Sequence, residues 1–86
     1  MMYSVIFTSA AARQIRKMDA AVRSRILKEI ENLSGNPRPA GVKKLVGEPA
    51  WRIRVGDYRI IYEIEDSRLT VTVIRAAHRR EVYTRR

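Results

Sequence analysis

The spacing of apolar residues changes along the chain, and each change marks a different kind of element. Residues 3–7, Tyr-Ser-Val-Ile-Phe, are aromatic and β-branched, which predicts a short strand. Thr8 or Ser9 then offers an N-cap, and Ala11, Ile15 and Met18 recur at helical spacing. Asp19 can cap a second helix. Its apolar residues Val22, Ile26, Ile30 and Leu33 form one stripe, and Arg23, Arg25, Lys28, Glu29 and Glu31 fill the remaining faces. These two helices should form a hairpin whose stripes cover a sheet.

Residues 34–50 hold all three prolines and three of the four glycines, so they read as a connecting loop that carries Lys43, Lys44 and Leu45. From Trp51 the period becomes two. Trp51–Val55 alternates strictly, Gly56-Asp57 makes a two-residue turn of type II′, and Tyr58–Glu65 continues as a second strand. Asp66-Ser67 turns the chain into a third strand, Arg68–Ile74, and a short basic tail follows from Ala76. The expected architecture is a single α+β domain spanning residues 1–86, in the order β-α-α-β-β-β. The two-helix hairpin packs on one face of a mostly antiparallel four-stranded sheet.

The hairpin turn sets a register. Val55 faces Tyr58, Arg54 faces Arg59, Ile53 faces Ile60, Arg52 faces Ile61 and Trp51 faces Tyr62. Side chains alternate between faces, so Trp51, Ile53, Val55, Tyr58, Ile60, Tyr62 and Ile64 share the core face. Arg52, Arg54 and Arg59 share the other, expected to be open.

Charge sharpens this picture. Eighteen Lys and Arg against nine Asp and Glu give a net charge of +9, and Arg75, Arg79, Arg80, Arg85 and Arg86 crowd the last twelve residues. Such an excess implies a polyanionic partner. Arg54 opposite Arg59 is a like-charge cross-strand pair, unfavourable by up to about 1 kcal/mol. Three guanidiniums on one sheet face suit phosphate, because each presents a planar fork of donors to its oxygens. The competing reading is a solvated charge ladder in which Glu63 and Glu65 offset the arginines. The glutamates lie at the far end of the strand from the turn, which favours phosphate.

The chain has no cysteine and a single histidine, His78. That excludes disulfides, thiolate zinc sites and multi-histidine metal centres, and no cofactor is expected. The start lacks a signal-peptide pattern, and no apolar run approaches a bilayer span, so a soluble cytoplasmic protein without a membrane partner is expected. No Gly-rich phosphate loop or nucleophile elbow is present. A metal-free ribonuclease working through the ribose 2′-OH needs a base, cations around the phosphorane and an acid for the leaving 5′ oxygen. Arginines supply the cations, and His78 and Tyr83 are the candidates for proton exchange.

The run KKLVGEPAWRIRVGDYRIIYEIED, followed by a strand and HRREVY, resembles the RelE branch of the RelE/ParE toxin superfamily over essentially the whole chain. The resemblance implies a toxin of a type II toxin–antitoxin pair, bound by a cognate antitoxin with which it contacts operator DNA. RelE-like members are mRNA interferases that enter the ribosomal A site and cleave mRNA through its own 2′-OH without metal. On that resemblance Arg52 and Arg54 match positions commonly held by lysines in base and charge-stabilising roles. Arg59 matches the arginine at the scissile phosphate. Arg79, four residues before Tyr83, matches the tail arginine of leaving-group chemistry, and Tyr83 the tyrosine that orients the substrate. Arginine holds its proton too tightly to be a good base, so His78 is the candidate to compensate. Lys43, Lys44 and Arg80 are expected to bind substrate. Two other readings stand beside this one: a ParE-like toxin acting on DNA gyrase, and a non-catalytic basic nucleic-acid-binding module.

Overall fold

A computed structural model of the chain describes residues 2–78. The elements are β1 (Ser4–Phe7), α1 (Ser9–Arg16), α2 (Ala20–Leu33), β2 (Lys43–Lys44), β3 (Trp51–Val55), β4 (Tyr58–Glu65) and β5 (Thr70–His78), with a 3-10 turn at Asp66–Arg68 before β5. The sheet order is β1-β5-β4-β3-β2; β1 runs parallel to β5 and the other pairs are antiparallel.

The α+β architecture is as expected, with five strands instead of four. The fifth is the Lys43-Lys44 step of the Pro- and Gly-rich loop, which pairs with Arg52 and Trp51. Two residues are too few for periodicity to reveal. Strand β5 also differs from its expected bounds. Leu69 adopts a left-handed conformation (φ 48°) after the 3-10 turn, which delays the strand to Thr70. At the other end the strand continues through Ala76, Ala77 and His78, residues expected in the tail.

Local chemistry explains the helices. Thr8 caps α1, its Oγ1 accepting from the Ala11 amide at 3.1 Å. The helix ends at Arg16, short of the expected Met18, yet Met18 still lies in the core. The Arg23 guanidinium donates to the carbonyls of Met18 (2.8 Å) and Arg16 (3.3 Å), satisfying groups that the end of α1 would leave unbonded. Ile26, Ile30 and Leu33 of α2 are buried against Ile53, Val55, Ile60, Tyr62, Val71 and Val73 of the sheet.

The β3–β4 register is the expected one, pair for pair. Gly56 has φ 59° while Asp57 stays out of the positive-φ region, as a type II′ turn requires. Farther along, β4 and β5 lose step between Ile61 and Tyr62. Tyr62 pairs with Val73 but Ile61 pairs with Arg75, which leaves Ile74 as the extra residue of a bulge. Beyond Phe7 there is no β1 to bond the outer side of β5, and α1 takes over. Thr8 Oγ1 donates to the Ile74 carbonyl and Gln14 Oε1 accepts from the Ala76 amide, both at 2.8 Å.

The loop after α2 is strapped to the sheet. Tyr62 donates its hydroxyl to the Pro37 carbonyl at 2.7 Å, and the Arg38 fork grips Asp66 at 2.9 and 3.3 Å while Tyr3 donates to the same carboxylate at 2.7 Å. Those bonds, the Arg38 one foremost, hold the Asp66 carboxyl below its ordinary range. Arg38 also lies 5.2 Å from the Trp51 ring centre.

Two stability changes follow. In Gly56→Ala the left-handed backbone costs about 1–2 kcal/mol. The new Cβ would also stand 3.3 Å from an Arg25 guanidinium nitrogen, so Arg25 must shift. A urea titration should show a lower midpoint with an unchanged m-value. Tyr62→Phe removes the donor to a buried carbonyl and should cost about 1–2 kcal/mol. Burial pushes the Tyr62 phenol up to about 12 from 10.0. Its raised value means the neutral phenol is favoured in the folded state. That stability is full below pH 10.0 and is lost as pH rises through about 12. The difference between wild-type and Tyr62→Phe stability should therefore shrink across that alkaline window.

Candidate nucleic-acid interface

Residues directly paired across strands share a face, so the register assigns each candidate to a side of the sheet. One row across the face opposite the helices runs Lys43, Arg52, Ile61, Arg75, on β2, β3, β4 and β5. The adjacent row runs Arg54, Arg59, Ala77. Three of the candidate arginines and Lys43 thus meet on one surface, and Arg75 joins them. From the sequence alone that residue counts only among the basic residues of the last twelve, with no face assigned to it. Only the bulge, invisible in the composition, brings it here.

This face is less open than expected. Arg54 and Lys43 are exposed and Arg52 and Arg75 half-buried, but Arg59 is only 3% exposed and its neighbours Ile61 and Ala77 are buried too. A buried guanidinium between Arg54 on one strand and an apolar floor is costly to desolvate. Arg54 also borders a cleft of about 300 Å³ lined by Arg25, Lys28 and Glu29 of α2, where three cations meet one carboxylate at the β3 edge.

The charge-ladder alternative finds no support in the contacts. Glu65 pairs with Arg68 at 3.5 Å. Among the described residues no carboxylate is within ion-pair distance of Arg52, Arg54 or Arg75. Glu63 and Glu65 share the face but sit opposite Thr72 and Thr70. Glu63 lies four steps along β4 from Arg59, about 13 Å of strand.

Two candidates do not join the cluster. His78 pairs with Tyr58, a residue of the helix-facing side, and the two rings meet edge to face at 5.2 Å. It lines a cavity with Val22, Arg25 and Ile26 of α2, across the sheet from Arg59. Sequence proximity to the tail suggested a base near the arginines; the strand carries it to the other face. Lys44 pairs with Trp51, also away from the arginines, with its Nζ 5.8 Å from the Trp51 ring centre and donating to the Glu48 carbonyl at 3.4 Å. Arg79, Arg80 and Tyr83 lie outside the described residues. No group of three metal-ligating side chains occurs among the described residues, and neither helix is long and apolar enough to cross a membrane.

What the face can do is bind a polyanion. Its forks match phosphate oxygens, and their clustering raises the local potential. It offers no histidine among the described residues, and an arginine does not exchange its proton near neutrality.

Comparison with known proteins agrees with this geometry. The family described as the ParE toxin of type II toxin–antitoxin systems, parDE, matches residues 5–83. Toxin RelG of Mycobacterium tuberculosis is 34% identical, over 99% of this chain and 100% of its own. The mRNA interferase toxin RelE of Escherichia coli K12 is 30% identical, over 98% of this chain and 93% of its own. Among solved structures, a chain of the RelBE2 toxin–antitoxin complex of Mycobacterium tuberculosis superposes with a TM-score of 0.82 at 30% identity, covering 91% of this chain and 92% of that one. A basic sheet face on the side opposite a two-helix hairpin, together with these matches, places the chain in the toxin family of type II toxin–antitoxin systems, on the RelE branch of the RelE/ParE superfamily.

Proposed function

We propose that this toxin is a ribosome-dependent endoribonuclease that cuts mRNA through the 2′-OH, and that a cognate antitoxin covers its basic face in the cytoplasm. One observation carries the reading: Lys43, Arg52, Arg54 and Arg59 converge on one face, and no carboxylate is within ion-pair distance of Arg52 or Arg54 among the described residues. The relative RelE, 30% identical, is named an mRNA interferase, and solved relatives are held in complexes with RelB antitoxins.

In the proposed reaction the 2′ oxygen loses its proton and attacks the adjacent phosphorus. The 5′ oxygen leaves with a proton, giving a 2′,3′-cyclic phosphate and a 5′-hydroxyl end. Arg59 would hold the scissile phosphate, because a desolvated guanidinium interacts with developing phosphorane charge more strongly than an exposed one. Arg52 and Arg54 would stabilise the same charge. Proton exchange falls to Tyr83, with Arg79 at the leaving group. His78 is not assigned a role, because β5 points it to the helix side.

The matching family is described by ParE toxins, so action on gyrase is the second reading. Programmed ribosomes carrying a defined mRNA, with product 5′ ends mapped, separate the two. Cleavage only on the ribosome is expected, and Arg59→Ala should lower the rate about 100-fold or more. Because Arg59 is buried, Arg59→Lys and a thermal melt of each variant serve as folding controls. A toxin that leaves mRNA intact and blocks gyrase supercoiling would overturn the nuclease reading. His78→Gln should cleave within about twofold of wild type; a pH profile that loses its acidic limb in this variant would restore His78 as the base.

A further inference from the structure

Strict alternation along β5 would bury Arg75. Val71 and Val73 face the helices, and the next residue of that phase is 75. If the Tyr62–Val73 pairing continued in step, Arg75 would sit opposite Ile60, a core residue with no exposed surface. The bulge at Ile74 prevents this. It moves Arg75 opposite Ile61 on the basic face and lets Ala76 take the place in the core. The device is braced from outside the sheet, since Thr8 bonds the Ile74 carbonyl and Gln14 the Ala76 amide. Bulges re-aim side chains, and this one re-aims a cation.

The position that results is specific. Arg52 and Arg75 stand on either side of Ile61, two strand spacings or about 10 Å apart, and Arg59 lies between and one step along. Arg75 is half-buried and has no carboxylate within ion-pair distance among the described residues. A strand of RNA crossing the sheet with one phosphate at Arg59 would meet Arg52 on one side and Arg75 on the other.

We propose that Arg75 is a substrate-binding residue that grips a phosphodiester flanking the one held by Arg59. This rests on the nuclease reading above. The phosphate belongs to the mRNA or to the ribosomal RNA around it, and the two sources present the same chemistry. Arg75 does not serve the chemical step; it contributes one contact that steadies the strand.

The test is single-turnover cleavage on programmed ribosomes by the full chain, varying toxin concentration and salt. Arg75→Met and Arg75→Gln keep a stem over Ile61 but lose the charge. They should raise the half-saturating concentration about tenfold, as loss of one charge-assisted contact does, with the plateau rate within about twofold. The slope of log affinity against log salt should fall by about 0.7, the loss of one phosphate contact on a single strand. Arg75→Lys should recover most of the loss, which a packing role would not predict. Messages with single methylphosphonates beside the cleaved bond then separate the sources. If one of them abolishes the difference between wild type and Arg75→Met, the phosphate is the message's; if none does, it is ribosomal. Unchanged saturation and salt slope in Arg75→Met and Arg75→Gln, while wild type cleaves, would overturn the role of Arg75 alone. A wild type that cleaves nothing on the ribosome would remove the nuclease reading and this inference with it.

Discussion

The register of β4 against its neighbours is the constraint on which everything else depends. Gly56 at φ 59° closes a two-residue turn, and that turn fixes Val55 opposite Tyr58. With a side-chain period of two, a slip of one residue would send Arg52, Arg54 and Arg59 into the core and Ile53 and Ile60 into water. The core and the basic surface are therefore one decision. The Arg54–Arg59 repulsion is tolerated because the apolar residues on the reverse of the same strands, buried under α2, outweigh about 1 kcal/mol of like-charge pairing several times over.

The other half of the sheet obeys the same rule by breaking it once. On β5, Val71 and Val73 keep the core phase until Ile74 inserts, and thereafter the phase is inverted. The inversion exposes backbone groups at the point where β1 has ended, and a bulge there would be expensive without partners. The N-cap Thr8 and Gln14 of α1 supply them, with the Thr8 hydroxyl bonding in two directions, to its own helix and to the bulge. A helix cap and a strand irregularity are thus a single hydrogen-bonded unit, and the composition of the basic face depends on a threonine on the far side of the sheet.

That dependence explains what was legible in the sequence and what was not. The helix stripes, the hairpin turn and the Arg52–Arg54–Arg59 face follow from local periods and were readable, down to individual pairs. The two-residue β2 has no period to read. Strand β5 has one, but its change of phase is decided by Thr8 and Gln14, some sixty residues away in the chain. For that reason Arg75 was given no face, and His78 was grouped with the arginines when the strand delivers it beside Tyr58. The burial of Arg59 was equally hidden, since alternation assigns a face without saying what covers it.

Burial and charge together give this surface its character. Arg59, with 3% exposure, is held directly opposite Arg54 in a chain of net charge +9, so the fold itself brings like charges together on this face. The face is therefore prepared for an anion before one arrives, and an anion that binds has little reorganisation left to pay for. The same preparation makes any ligand of this face a stabiliser of the fold, because it relieves a repulsion that the unfolded chain does not contain. An antitoxin and an RNA strand are chemically different occupants, yet on the proposed reading both draw on this one imbalance. Competition between them then needs no conformational change, only that two ligands cannot neutralise the same arginines at once.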